Sequence, residues 1–352
     1  MKRMQKLTEK SVPKPLATDS YDYRLPPELI AKEPAHPKDS SRLLVVDRKS
    51  GTITHAFFRD ILSFIPKKCA IIYNDTKVIK ARLFGKKESG GKVELLINRQ
   101  LDAERYNVLI RGKVKPGSEL LFDGGLKAEV LELCSDGSRI VRFKSAEGTV
   151  LDFEALLHHL EEIGHVPLPP YMQREDREED AKLYQPVFAR HEGAVAAPTA
   201  SLHFTEELFN KMRKSFDIYP ITLHVGAGTF KPVEAETITD HPMHSEYYEI
   251  PEETRKVIDS DREILAIGTT VTRTIEYYVR TRKPFGECDL FLHPGNPPRR
   301  VDHLLTNFHL PKSTLIMLVA SFLGLEKTME VYRCAIEKRY RFYSYGDAML
   351  IL

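Results

Sequence analysis

Cysteine is scarce in this chain: four in 352 residues, at positions 69, 134, 288 and 334, with no Cys-x-x-Cys pair. That spacing argues against a disulfide framework and leaves reduced, mostly structural thiols, as expected of a cytoplasmic protein. Long apolar runs are missing as well. The longest, Leu315 to Leu325, falls well short of the roughly 20 residues a bilayer requires, so no membrane association is expected. The basic N-terminus (Lys2, Arg3, Lys6, Lys10, Lys14) is followed by no apolar stretch or cleavage site, so no signal peptide is expected. An excess of one charge is lacking too. A net charge of +2 does not by itself announce a nucleic-acid binder. There is no internal repeat and no low-complexity tract.

What is present is the composition of an ordinary soluble protein, 42% hydrophobic and 29% charged, at a length that suggests two domains. Residues 1–19 have few apolar positions and no periodicity, and read as a flexible N-terminal extension. Leu43–Val46 and Gly51–Thr54 flank Asp47-Arg-Lys-Ser, a hairpin signal. From 73 to 150 the pattern becomes a β meander, with strands expected at Val93–Ile97, Tyr106–Ile110, Glu119–Phe122, Ala128–Leu133 and Ile140–Phe143. Glycine-containing turns separate them, which suggests a small barrel. Helical spacing returns at Phe153, Leu156, Leu157, Leu160 and Ile163, closed by Gly164. Thr205 is placed to cap a second helix, with Phe204 and Phe209 as a hydrophobic staple. A strand over Ile218–Val225 carries Pro220, which suits an edge or strand start. Glu263–Ile267 is a further strand, running through Gly268-Thr269-Thr270 into a helix; helices near 313–324 and 326–339 and a final strand follow. The fold class is therefore α/β: a larger discontinuous α/β domain (20–72 and 151–352) with an inserted small all-β barrel domain (73–150).

Two regions suggest chemistry. In the first, the strand ending at Val225 breaks into Gly226-Ala227-Gly228-Thr229, and Asp240, His241, His244 and Glu246 crowd just beyond it. A glycine loop lets backbone approach a ligand closely, and also makes an ordinary tight turn. The acidic and imidazole group suits proton transfer. If 243–248 is extended, His244 and Glu246 project to one side. The rival is a metal-dependent hydrolase centred on the same four residues. His241 and His244 have ligand-like spacing, but no third histidine or cysteine is near. The second region, Lys77 to Lys115, holds eleven Lys or Arg against four Asp or Glu, an excess of seven positive charges. That surplus suits a phosphate backbone or is simply a solvated face.

Five runs together are recognisable: Leu223–Glu246, Ala197–Phe204, Thr306–Thr314, Tyr340–Asp347 and Asn74-Asp75-Thr76. Over residues 20–350 they resemble the S-adenosylmethionine:tRNA ribosyltransferase-isomerase family of queuosine biosynthesis. The resemblance implies a β-barrel inserted in an α/β domain. It also implies transfer and rearrangement of the ribosyl part of S-adenosylmethionine onto 7-aminomethyl-7-deazaguanine at the tRNA wobble position, giving epoxyqueuosine with loss of adenine and methionine. S-adenosylmethionine would be the ribosyl-donating co-substrate, tRNA the partner, and a monomer without metal or flavin is expected.

That reaction needs a base beside the sulfonium, an acid for departing adenine, a lining without cations for the sulfur, and an anion site for the methionine carboxylate. For the proton transfers, His244, Glu246 and His241 are the candidates, with Asp240 orienting. Gly226, Gly228, Thr229, Thr269, Thr270, His309 and Tyr345 are candidates for the donor, with Tyr343 and Phe230 as further sulfonium lining. Asn74, Asp75, Thr76, Lys77 and Arg82 are candidates for tRNA, extended by Lys80, Arg111, Lys113 and Lys115. His203 and His224 also sit in family-like motifs, where burial is the simpler role. Three departures stand out: Val271-Thr272 displaces a hydroxyl by one position, Ser201 replaces a glycine, and Asn296-Pro297 lacks aromatics, leaving Arg299 and Arg300 as candidate phosphate contacts. A non-enzymatic RNA-binding module built on the barrel is the other reading.

Overall fold

The structure is a computed structural model that describes residues 12–230 and 233–352, without the side chains of Thr229 and Phe230. The described chain opens in short 3₁₀ turns. Thr18 is buried, its hydroxyl donating to the Ala235 carbonyl at 2.6 Å and its N–H to that of Glu236 at 3.0 Å. The extension expected to reach residue 19 is therefore docked over its last part. Residues 1–11 lie outside the described residues.

Strands β1 (Arg42–Val46) and β2 (Ile53–Phe57) make the expected hairpin. Asp47 Oδ1 builds its turn by accepting the N–H groups of Lys49 and Ser50. β3 (Ala70–Asn74) is buried along its whole length, as a central strand must be, and β4 (Thr76–Val78) follows. Then β5 (Arg82–Lys87), β6 (Lys92–Gln100), β7 (Arg105–Arg111), β8 (Glu119–Phe122), β9 (Lys127–Leu133) and β10 (Arg139–Lys144) close into an antiparallel barrel, ordered 10-7-6-5-8-9. Alternation fills its interior with Leu83, Val93, Leu95, Val108 and Val141. Five of these strands match the expectation; β5 is the addition.

Helix α1 (Phe153–Ile163) starts at Asp152, whose carboxylate accepts the Ala155 N–H at 2.9 Å, and packs Leu156 and Leu160 on the barrel core. Gly164 ends it at φ −80°. A Cβ there would lie 2.3 Å from the Lys80 carbonyl oxygen, so close approach, not a left-handed conformation, requires glycine. α2 (Asp180–Leu183) is short, and β11 (His191–Ala194) pairs in parallel with β4. α3 (Glu206–Ser215) is capped by Thr205 as expected, with the Phe204 and Phe209 rings 6.4 Å apart.

The remaining elements alternate: β12 (Ile218–Leu223), β13 (Glu246–Glu249), α4 (Glu252–Ile258), β14 (Ile264–Ile267), α5 (Thr269–Thr281), β15 (Phe285–Cys288), β16 (His303–Asn307), α6 (Thr314–Leu323), α7 (Leu325–Glu337) and β17 (Ala348–Ile351). They complete a nine-stranded sheet ordered 15-13-12-3-14-16-17-1-2, whose centre β12-β3-β14-β16 is parallel. Neighbouring residues face opposite cores: Ile72 and Leu304 pack in one, Ile71 and Leu305 in the other. Pro220 does not sit on a sheet edge, because β12 has partners on both sides. β13, however, pairs only with Thr222 and Leu223, so Pro220 lies beyond that ladder. Among the described residues no helix is long and apolar enough to cross a membrane.

Candidate functional site

After β12 the chain passes between the large sheet and the barrel as His224-Val225-Gly226-Ala227-Gly228. The Val225 carbonyl accepts the N–H groups of Val195 and Ala196 at 2.8 and 3.1 Å. These backbone strips form a partition with a chamber on each side. The smaller chamber, about 150 Å³, opens at the C-terminal ends of β14 and β16 and is lined by Val225, Thr269, Thr270, His309 and Tyr343. Ligands of parallel α/β sheets settle at such strand ends. The larger chamber, about 500 Å³, lies under the barrel and is lined by His224, Gly226, Gly228, His244 and Glu246.

Glu246 begins β13 and is buried. Its Oε2 is 2.6 Å from the Arg273 guanidinium, and its Oε1 accepts the Gly226 N–H at 3.1 Å and stands 3.7 Å from His244 Nε2. Burial opposes its ionisation, yet Arg273, the His244 ring and the Gly226 N–H together hold its pKa down at about 2. These partners favour the ionised carboxylate of Glu246. Its carboxylate orients the glycine turn and faces the histidine. His244 does share its side with Glu246, as the extended geometry requires, and its ring lies against Gly228: a Cβ there would sit 2.9 Å from the imidazole.

The other two members of the acidic and imidazole group separate from this pair. Asp240 is exposed, and His241 packs edge-on to Phe291 at 6.0 Å, in a shallow depression with His293 and Asn296. The 3₁₀ turn at Ile238–Asp240, followed by Pro242, carries them away from the strand. Among the described residues no three His, Cys, Asp or Glu side chains converge as metal ligands.

Of the donor candidates, Gly226 and Gly228 line one chamber while Thr269, Thr270 and His309 line the other. Thr229 and Phe230 have side chains outside the described structure. Gly268, at φ +97°, occupies the cap of α5 without a side-chain cap, so neither threonine serves as the N-cap. His309 binds the Thr306 hydroxyl through Nε2 at 2.8 Å, and burial lowers its pKa to about 3. It is a neutral wall residue. Tyr345 is displaced from the expected lining: it is buried 6.0 Å from Tyr184 in a separate core, and Tyr343 faces the chamber instead.

The expected tRNA triplet is structural. Asn74 donates to the Leu223 carbonyl at 2.9 Å and accepts the N–H groups of Leu223 and Thr76, so it, and not Asp75, makes the Asx-type turn. Asp75 accepts the Thr222 hydroxyl at 2.7 Å, and burial pushes its carboxyl above the usual range. Thr76 bonds His224 Nδ1 at 2.8 Å. All three are buried, which rules them out as an RNA-reading surface. Lys77 pairs with Glu192, Lys80 with Glu161, and Arg82 and Arg111 share Glu94. Arg82 nonetheless borders an open groove.

His203 is a core residue, stacked on Phe58 and bound to the Ser41 hydroxyl, its pKa lowered by burial to about 4. The departures resolve in the same way. The Thr272 hydroxyl bonds its own helix at the Gly268 carbonyl, Ser201 has no positive φ, and the Arg300 guanidinium is held by the carbonyls of Ile258, Ser260 and Arg262. Two residues, Arg273 and Asn98, gained importance only in the structure, and His224, already noted in a family-like motif, gained a place. Arg273 anchors Glu246 and the carbonyls of His244 and Cys288. Asn98, where the β6 register shifts, accepts the Ala227 N–H at 3.1 Å and so ties the barrel to the glycine turn. His224 lines the larger chamber, its pKa lowered by burial to about 4. The motif around His224 was the available signal, since the burial of Arg273 shows only in the structure.

The model of the queuosine biosynthesis protein family matches residues 18–351. Over 338 residues the chain is 67% identical to the S-adenosylmethionine:tRNA ribosyltransferase-isomerase of a Nitratiruptor species, covering 96% of this chain and 99% of that one. It is 60% identical to the protein of the same name from Sulfurimonas denitrificans, covering 96% and 98%. A crystal structure of S-adenosylmethionine tRNA ribosyltransferase from Thermotoga maritima is similar at a TM-score of 0.53 and 36% identity, covering 95% of this chain and 100% of that one.

Proposed function

The chain belongs to the queuosine biosynthesis protein family, and from that membership we propose that it is an S-adenosylmethionine:tRNA ribosyltransferase-isomerase. The observation that carries this reading is 67% identity sustained over 99% of a relative bearing that name. Its acceptor is 7-aminomethyl-7-deazaguanine in the tRNA anticodon; the ribosyl group is joined to that aminomethyl group and rearranged to give epoxyqueuosine, and adenine and methionine leave. The protein acts in the cytoplasm as a monomer, and its inserted domain is the barrel from β5 to β10, residues 82–144, since the boundary expected at 73 falls inside β3 of the large sheet.

The two chambers divide the donor. About 150 Å³ is too small for a whole nucleoside sulfonium, since pockets for such ligands run to roughly 300–1,000 Å³. The smaller chamber takes the methionyl end, whose carboxylate meets the N–H groups opening α5. The ribosyl part and the acceptor base meet in the larger chamber, where the backbone of Gly226–Gly228 permits close approach. His244 carries protons there, and Glu246, already ionised, stabilises the imidazolium that results. The Tyr343 ring contributes a lining without positive charge for the sulfur.

The test is to incubate the protein with S-adenosylmethionine and tRNA carrying the deazaguanine, and to measure free adenine and methionine. Release that depends on the modified tRNA supports the reading. Equal release without tRNA, or none with it, sinks it.

A further inference from the structure

The outer face of the barrel carries an arrangement the reaction chemistry leaves unexplained. Cross-strand register sets Lys86 of β5 directly opposite Lys92 of β6. Both are exposed, and among the described residues neither has an ion-pair partner. Like charges directly opposite one another destabilise a sheet, so the pair costs the fold stability unless an anion lies over it. One row along, Phe84 opposes Glu94, which in turn opposes Arg111. Phe84 is 43% exposed for a large apolar ring; His165 packs edge-on to it at 5.0 Å, and the Arg82 guanidinium lies 5.0 Å from its centroid. Glu94 is the single acid of these rows, bound to both Arg82 and Arg111.

Further along these strands Arg82, Glu94, Leu96 and Arg111 line one side of a groove of about 790 Å³, opposite Pro167–Pro170, while Phe84, Lys86 and Lys92 lie outside that lining. The groove ends at Val195 and Ala227, next to the partition between the two chambers. Cations that follow a backbone and an exposed ring that can stack a base are the two devices with which proteins hold single-stranded nucleic acid. A base splayed from such a loop has a direct route along the groove to the glycine turn.

We propose that the β5–β6–β7 face, and not the Asn74–Lys77 segment, seats the RNA loop, with Lys86, Lys92 and Arg111 on phosphates and Phe84 stacked on an unpaired base. This inference rests on the reading of tRNA as substrate. It is tested by fluorescence anisotropy with a tRNA transcript, using the full chain, the double variant Lys86→Ala/Lys92→Ala, Phe84→Ala, Phe84→Tyr, and Lys211→Ala on the distant α3 as control. The double variant is expected to bind tenfold or more weakly at low salt. Its slope of log affinity against log salt should fall by about 1.4, the share of two single-strand phosphate contacts. Its melting temperature should hold or rise, since a repulsion is removed. Phe84→Ala should lose about five- to 100-fold in affinity, and Phe84→Tyr should recover it. Affinity of the double variant within twofold of the control, or a loss that only tracks a falling melting temperature, overturns the proposal. Adenine release keeps the two readings apart. A wild-type protein inactive on modified tRNA defeats the functional reading, whereas an active one whose double variant binds RNA normally defeats this surface alone.

Discussion

The buried wall on the sheet side and the outer wall of the barrel handle polar groups in opposite ways. On the sheet side, Asn74, Asp75, Thr76, Glu246 and Arg273 are buried and bonded to one another's strands or turns. On the barrel side, Lys86, Lys92 and Phe84 face water, and the lysines repel each other. The first wall gains rigidity from its polar residues, because an unpaired buried group costs more than a bonded one returns. The second gives up stability to leave groups available. Residue type does not distinguish these cases; partner geometry does. An aspartate or asparagine beside lysines resembles an RNA contact until its carbonyl and N–H partners on the next strand are seen.

The largest expected effect tests the sheet wall. Glu246→Gln leaves Arg273 buried without its counter-ion and should cost about 3–5 kcal/mol, read as a drop in melting temperature; a drop comparable to that of an exposed pair would show the network is not what stiffens this wall. His244→Ala should lower turnover by roughly 10²-fold or more while tRNA affinity stays within twofold. A normal rate would remove this histidine from the chemistry. Asn74→Ala strands backbone groups of Leu223 and Thr76 and should cost about 1–3 kcal/mol, with RNA affinity unchanged once folded. Weaker RNA binding without loss of stability would erase the contrast between the walls. The smallest effect belongs to Lys77→Ala, which removes an exposed pair with Glu192 worth about 0–1 kcal/mol, and should leave RNA binding intact.

Acid should weaken the sheet side. His203, His224 and His309 are held neutral, at about 4, 4 and 3, below their ordinary 6.5. The unfolded chain therefore takes up more protons as pH falls from 6.5, and stability declines progressively through these values. Glu246, depressed from 4.5 to about 2, contributes fully above 4.5 and loses that contribution as pH falls toward 2. Melting temperatures measured from pH 7 to 3 should fall throughout. Replacing His309 with Gln should flatten the slope; an unchanged slope would place the titrating groups elsewhere.

What was legible in the sequence was local. The Asp47 turn, the Thr205 cap, five barrel strands and the glycine loop all follow from residues a few positions apart. The extended pairing of His244 with Glu246 is of this kind as well. What stayed hidden depends on distant partners: Asn74 meets Leu223 across 149 positions and Asn98 meets Ala227 across 129. β5 escaped because its apolar alternation is diluted by Arg82, Lys86 and Lys87. The same cations drew attention as a basic run, but only the register shows which of them oppose acids and which oppose each other.

Helix α5 presents Thr269 and Thr270 to the smaller chamber on its first turn, and one turn later sends Arg273 to the Glu246 carboxylate and the His244 carbonyl in the larger. Both compartments are thus bolted to one rod. The spacing between the two compartments is therefore set by a single turn of helix, with no loop in between to let it drift.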